Sequence, residues 1–335
     1  MKKVQIVFAL IILSGCASFV KHESNVVTGN TGSIWKGTIE ENLAIGAKLI
    51  VLGYGEEQAG HSENVEAFQN KGFDATYFAP SEYMFSDYPE VYILSRKKTN
   101  EITILVVGTD SNGDWIQNMK TKEYHDVCNA NTYHIPAGHG GFRNGVMNLI
   151  GEKFFTEVIT GHIQNNDVRN NKGGMIDVTI IGHSAGAGIA QLVGPAVDGY
   201  KYTDCMDTDN PKLVKTDKWP LKVKNVFAYA PPYAVSPSYG SWEYMSKNYG
   251  DKTYMIIRDA DFVTTVYNAF THGLKVPFRH YGKYVRITRD KEVSFESTDW
   301  GLYVEEGDSP HSSNAYHAAL KNHAEKITPV AVTAP

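Results

Sequence analysis

The sequence predicts a single α/β domain with a mostly parallel central sheet flanked by helices. Three observations carry that prediction. Apolar runs of strand length alternate with helical patterns from about residue 102 onward. The run from Ile102 to Val107 is almost continuously apolar, as a central strand buried on both faces requires. The stretch Val178 to Val193, reading Val-Thr-Ile-Ile-Gly-His-Ser-Ala-Gly-Ala-Gly-Ile-Ala-Gln-Leu-Val, changes from a strand pattern to a helical one across a serine set between glycines.

The 335 residues are enough to bury a substantial core, and 42% hydrophobic against 21% charged residues excludes disorder over the whole chain. A net charge of −5, with no arginine-rich stripe, argues against a nucleic-acid partner. Three cysteines are too few for a disulfide scaffold. Cys128 and Cys205 pair or remain thiols; their spacing does not decide which.

Met1 to Cys16 carries Lys2 and Lys3, the apolar run Val4 to Leu13, and then Ser14-Gly15-Cys16. A charged start and a short apolar run make an export signal, too short for a comfortable membrane span. Leu13-Ser14-Gly15-Cys16 resembles the bacterial lipobox, which implies acylation of Cys16 as the mature N-terminus and anchoring to a membrane surface. Ala17 in the next position favours the outer membrane, by resemblance to Gram-negative lipoproteins. The alternative is an ordinary secretory signal cut near Ala17 or Ser18, giving a secreted protein. Residues 17–37 are polar and glycine-containing and read as a tether, with the folded domain spanning 38–335.

Leu43, Ile45, Leu49, Ile50 and Leu52 fall at helical spacing from Ile39, although Gly46 and Gly53 interrupt the pattern. Glu90 to Ser95 and Ile102 to Val107 read as two strands joined by the turn Lys97 to Asn100, delivering the chain to Gly108-Thr109. Asn112 to Met119, with Trp115, reads as a short helix or flap. A helix is expected from His139-Gly140-Gly141-Phe142 to about Ile163, with Val146, Leu149, Ile150, Phe154, Phe155 and Val158 on its apolar side. Asp198 to Pro220 reads as an irregular, solvated insertion. Its aspartates do not make a calcium loop, because the sixth and twelfth positions from Asp207 are Lys212 and Lys218. Strands are expected at Val223 to Ala230, Thr253 to Ile257 and Tyr284 to Thr288, and a helix at Ser312 to Ile327. No repeat of 20 to 50 residues is present.

Within Gly182-His183-Ser184-Ala185-Gly186 the chain must turn sharply, which is the spacing of a nucleophile elbow. A serine hydroxyl needs a base to take its proton and an acid to orient that base. Asp261 follows a predicted strand within Asp-Phe-Val. Asp259 competes with it, and one of the two is expected to cap a turn or pair with Arg258. His311, between Ser309-Pro310 and a helix, is the candidate base, whereas His317 lies inside the helical pattern. The Ala185 N–H is the first expected oxyanion donor, and Thr109 supplies a second N–H and a hydroxyl.

Together these elements resemble the class 3, or fungal-type, triacylglycerol lipases of the α/β-hydrolase fold. Val107-Gly108-Thr109-Asp110-Ser111 with Asp114-Trp115 and Asn118 looks like their oxyanion strand and the segment after it. His139-Gly140-Gly141-Phe142, Gly182 to Gly186, Asp261-Phe262-Val263, and His311-Ser312 with Tyr316 follow in the family's order, covering about Gly37 to Leu320. The resemblance implies Ser184 as nucleophile, Asp261 as acid, His311 as base, Thr109 and Ala185 as oxyanion donors, and Asn112 to Met119 as a lid or a fixed helix. It departs from the family at Val107, where an arginine is usual, at Ala185, where a leucine is usual, and at Thr264, where a proline is usual. The expected activity is hydrolysis of carboxylic esters of lipids through an acyl-enzyme, without metal or cofactor. The alternatives are a binding module that keeps the fold without catalysis, or a peptidase or thioesterase.

Overall fold

The computed structural model describes residues 33–35, 37–55, 61–78, 90–108, 123–124, 133–150, 157–166, 168, 174–204, 212–215, 220–259, 261, 264, 278–288, 293–296 and 312–327. Cys16, Thr109, the segment 112–119, Cys128, Cys205 and His311 lie outside the described residues.

Helix α1 (Ile39–Tyr54) starts where Thr38 caps it. The Thr38 hydroxyl accepts from the Glu41 N–H at 3.3 Å, and the Glu41 carboxylate accepts from the Thr38 N–H at 2.8 Å, a reciprocal capping box. The helix runs unbroken through Gly46 and Gly53. Close packing requires the first of these, because a Cβ at Gly46 would collide with the Tyr229 hydroxyl, which donates to the Leu43 carbonyl at 2.5 Å.

Helix α2 (His61–Asn70) then leads into β1 (Asp74–Phe78), and both were unanticipated in the sequence pattern. Strands β2 (Val91–Ser95) and β3 (Glu101–Val106) form the expected antiparallel hairpin, with Lys98 at a φ of 64° in its turn. Two short strands, β4 (Glu123–Tyr124) and β5 (Gly138–His139), pair with each other. Helices α3 (Gly140–Ile150) and α4 (Thr160–Asn165) stand where one long helix was predicted, with 151–156 outside the described residues.

Strand β6 (Ile176–His183) and helix α5 (Ala185–Val197) meet at Ser184 as the pattern predicts. Pro195 lies inside α5 and offers no N–H to the Gln191 carbonyl; the Tyr281 hydroxyl donates to that carbonyl instead, at 2.6 Å. The segment expected to be an irregular insertion contains an antiparallel pair, β7 (Tyr200–Asp204) with β8 (Lys212–Lys215). Its first residue is not solvated either: Asp198 is buried, accepting from the Val223 N–H at 2.6 Å and the Tyr249 hydroxyl at 2.9 Å.

Strand β9 (Leu221–Tyr229), helix α6 (Ser241–Tyr249), β10 (Thr253–Arg258), β11 (Lys283–Ile287), β12 (Val293–Glu296) and helix α7 (Ser313–Ile327) complete the chain. The main sheet has the order β1-β2-β3-β6-β9-β10-β11-β12. The run β3-β6-β9-β10-β11 is parallel, with antiparallel strands only at the edges.

Alternation along the strands divides the core into two layers. Ile102, Ile104 and Val106 of β3 join Phe142, Ala190 and Leu192 on the face covered by α3 and α5. Leu105, with Ile181, Phe227 and Tyr229, joins Leu43, Ile50, Tyr316 and Leu320 beneath α1 and α7. The end of the expected tether belongs to this second layer. Ile34 and Trp35 are buried, the Ser33 hydroxyl donates to the Glu101 carboxylate at 2.5–2.6 Å, and the Trp35 indole N–H donates to the Thr103 hydroxyl at 3.1 Å. No described helix is long and apolar enough to cross a membrane.

Candidate active site

Ser184 sits at the carboxyl end of β6 with φ 56° and ψ −125°, a conformation that costs an ordinary residue on the order of 1–2 kcal/mol. The surrounding backbone imposes it. The Ser184 N–H donates to the Tyr229 carbonyl of β9 at 3.0 Å, and its own carbonyl accepts from Ala187 and Gly188 at 3.0 and 3.3 Å, which starts α5. A Cβ at Gly182 would fall within 2.7 Å of the Ala187 Cα, and one at Gly186 within 2.9 Å of the Val107 carbonyl oxygen. Only glycine lets β6, α5 and the end of β3 come this close.

Ala185 is the first residue of α5, so its N–H belongs to the helix-terminal amides that have no intrahelical carbonyl to donate to. The positive end of the helix dipole lies beside the serine. Gly108, the residue before Thr109, packs against this corner. A Cβ there would lie 2.6 Å from the His183 carbonyl oxygen and 3.1 Å from the Ser184 Cβ.

Asp261 follows β10, two strands from β6, and is fully buried. The Tyr316 hydroxyl of α7 donates to its Oδ2 at 2.7 Å while accepting from the Arg258 N–H at 3.0 Å. Burial, with the Asp261 charge beside it, pushes the Tyr316 phenol well above its ordinary pKa, so it stays a donor. Asp259 is engaged elsewhere. Its carboxylate takes both arms of the Arg286 guanidinium at 2.8 and 2.9 Å, so its partner is on β11 and is not the neighbouring Arg258.

Tyr316 also connects the acid to the nucleophile's strand, because its ring stands edge-on to His183 at 6.1 Å. His183 also meets Tyr54, the last residue of α1, whose hydroxyl lies 2.8 Å from His183 Nδ1. Tyr54 gave no signal in the sequence beyond closing a helical pattern. The His-Gly-Gly-Phe element packs one turn further along α5: the Phe142 ring fills the space a side chain at Gly188 would need. His139 stacks beside Phe142 at 4.7 Å, and burial holds its pKa down at about 3, so it is a neutral packing group.

The structure therefore gathers Ser184, Ala185 and Gly108 at one corner and links Asp261 to it through Tyr316 and His183. His311 stands two residues before α7 in the chain, outside the described residues like Thr109. Chemically, the described part offers a strained serine at a helix N-terminus and a buried carboxylate held by a phenol.

Two solved structures share the fold. A variant of MDLA from Penicillium cyclopium aligns over 82% of this chain and 88% of its own, at 14% identity and a TM-score of 0.50. A structure described as fungal lipases aligns over 84% and 92%, at 13% identity and a TM-score of 0.50. A search of curated protein sequences found no match. The family model described as Lipase (class 3) matches residues 103–271, half of the chain. With a match of that extent, spanning both Ser184 and Asp261, the protein belongs to the class 3 lipases, carboxylic ester hydrolases of the α/β-hydrolase fold.

Proposed function

We propose that the protein cleaves acyl esters of lipids through a Ser184-His311-Asp261 triad, with the N–H groups of Ala185 and Thr109 as oxyanion donors. The observation that carries this reading is the strained turn at Ser184, φ 56°, which sets a serine at the N-terminus of a helix with its helix-terminal amides beside it. His311 takes the Ser184 proton as the oxygen attacks the ester carbonyl, and the carbonyl oxygen becomes an oxyanion at the two N–H groups. Collapse expels the alcohol, which leaves with the proton from His311. Water, deprotonated by His311, then attacks the acyl-enzyme, and the carboxylic acid is released as Ser184 regains its proton. Asp261 orients His311 and stabilises its cationic form; the Tyr316 hydroxyl bond keeps that carboxylate in place.

The test is hydrolysis of p-nitrophenyl esters of graded chain length by the wild type and by Ser184→Ala. Ester turnover lost at least roughly 1000-fold in the variant is expected. Long-chain preference marks a lipase, and acetate or butyrate preference an esterase. Turnover of an anilide or thioester in place of the esters marks a peptidase or thioesterase, and equal rates in both proteins mark a binding module and sink the catalytic reading. Acylation at Cys16 would hold the domain at a membrane surface, where such esters reside. Cys16→Ser should then move the protein from the membrane fraction to the soluble one.

A further inference from the structure

We propose that Tyr54 is a positioning residue for this hydrolysis, acting through His183 to hold the end of β3 against the nucleophile. The proposal rests on Ser184 being the nucleophile. Tyr54 closes α1 and is half-buried, and its hydroxyl lies 2.8 Å from His183 Nδ1 with the two rings edge-on at 5.5 Å. A Cβ added to Gly108 would collide with that same hydroxyl, as well as approaching the His183 carbonyl and the Ser184 Cβ. The phenol, the Gly108 backbone, the His183 main chain and the serine thus form one close-packed contact group.

That group lies over the seam between two strands. β3 and β6 are parallel neighbours paired as far as Val106 with Gly182, and beyond this pair the elbow on one strand and Gly108 on the other stay in close contact. The ladder ends there, so the spacing of the two N–H groups proposed as oxyanion donors depends on the contacts that Gly108 and His183 make beyond it. Tyr54 adds a side-chain restraint to that packing: it is anchored by α1, bonds the residue before the nucleophile, and abuts the residue before Thr109. His183 also meets the ring of Tyr316, which bonds Asp261, so one imidazole relates the serine's strand to both the acid and the oxyanion side.

A restraint on oxyanion geometry acts in the transition state, where charge develops on the carbonyl oxygen, and has little effect on ester binding. Tyr54→Phe keeps the ring and removes the bond. With p-nitrophenyl butyrate, its kcat should fall roughly five- to thirty-fold while KM stays within about two-fold, the effect of one displaced hydrogen-bonding group. Inactivation by an organophosphonate ester, whose phosphoryl oxygen occupies the oxyanion position, should slow by the same factor, and active-site titration keeps both rates per folded molecule. His183→Gln should give a similar loss, and the double variant should be no worse than the poorer single one. Full kcat in Tyr54→Phe, a KM effect alone, or additive losses in the double variant would each overturn the proposal. If Tyr54→Phe fails to fold, the kcat loss and unchanged KM are read in His183→Gln, and full kcat there overturns it equally. Activity retained in Ser184→Ala removes the nucleophile reading and this proposal together; an inactive Ser184→Ala beside a fully active Tyr54→Phe removes this one alone.

Discussion

Asp259 and Asp261 lie two positions apart, yet their surroundings differ in kind. Asp259 is partly exposed and locked to Arg286 by a two-pronged ion pair, whereas Asp261 is fully buried against the Tyr316 hydroxyl. Asp259→Asn should therefore leave kcat within about two-fold and lower stability by up to about 1 kcal/mol, as partly exposed ion pairs do. With Asp261 as the acid of the proposed triad, Asp261→Asn should lower kcat by roughly 1000- to 10000-fold, because the imidazole would lose its tautomer. Steady-state kinetics beside thermal melts of both variants checks this, and a larger kcat loss in Asp259→Asn would assign the acid to the wrong residue. The order of serine, aspartate and histidine suits either aspartate, and the resemblance of Asp261-Phe262-Val263 to Asp-x-Val favoured Asp261. The partner of Asp259 was not legible: its N–H donates to the Ile287 carbonyl, which keeps the chain in register with β11 and brings Arg286 alongside.

Among the elements, those buried on both faces were the ones sequence could name. Strands β2, β3, β6 and β10, and β9 from Val226 onward, are nearly continuous apolar runs, and their burial leaves little freedom in reading them. Helix α2, with His61-Ser-Glu-Asn at its start, and the four-residue β12 carry too few apolar positions to show a period; tertiary pairing creates them. The β7–β8 hairpin hides for the same reason, since lysines and aspartates fill its alternation. Helix α1 shows the converse, because local propensity reads Gly46 as an interruption while packing demands it. Gly46→Ala improves helix propensity by about 1 kcal/mol. It also drives a methyl group into Tyr229, whose hydroxyl already bonds the helix, and such overpacking costs about 1–3 kcal/mol. A net loss of stability is expected in urea denaturation, and a stabilised variant would show that α1 can lift from the sheet at little cost.

At the scale of the whole molecule, burial among the described residues holds His139 at about 3 and His162 and His280 at about 4, keeping these three neutral, and it lowers His317 as well. In the unfolded chain each takes a proton near pH 6.5, while in the folded protein each resists until far lower pH. The unfolded state thus binds more protons between pH 6.5 and 4, so stability is complete above 6.5 and falls as pH drops through that window. The slope is at most about 4 kcal/mol per pH unit for three such groups. Urea midpoints at pH 7.5 and 5.0 should differ in that direction, and equal midpoints would contradict the burial of these imidazoles as neutral groups. A last consequence follows from Ser33 and Trp35, which pin the chain to Glu101 and Thr103 at the start of β3. β6 runs parallel to β3, so the serine emerges from the opposite end of the sheet. Residues 17–32 could span at most roughly 55 Å when fully drawn out. Under the proposed acylation of Cys16, that reach would bound how far the domain can turn over to face its own membrane, and so whether it grazes the leaflet that holds it or a surface beyond.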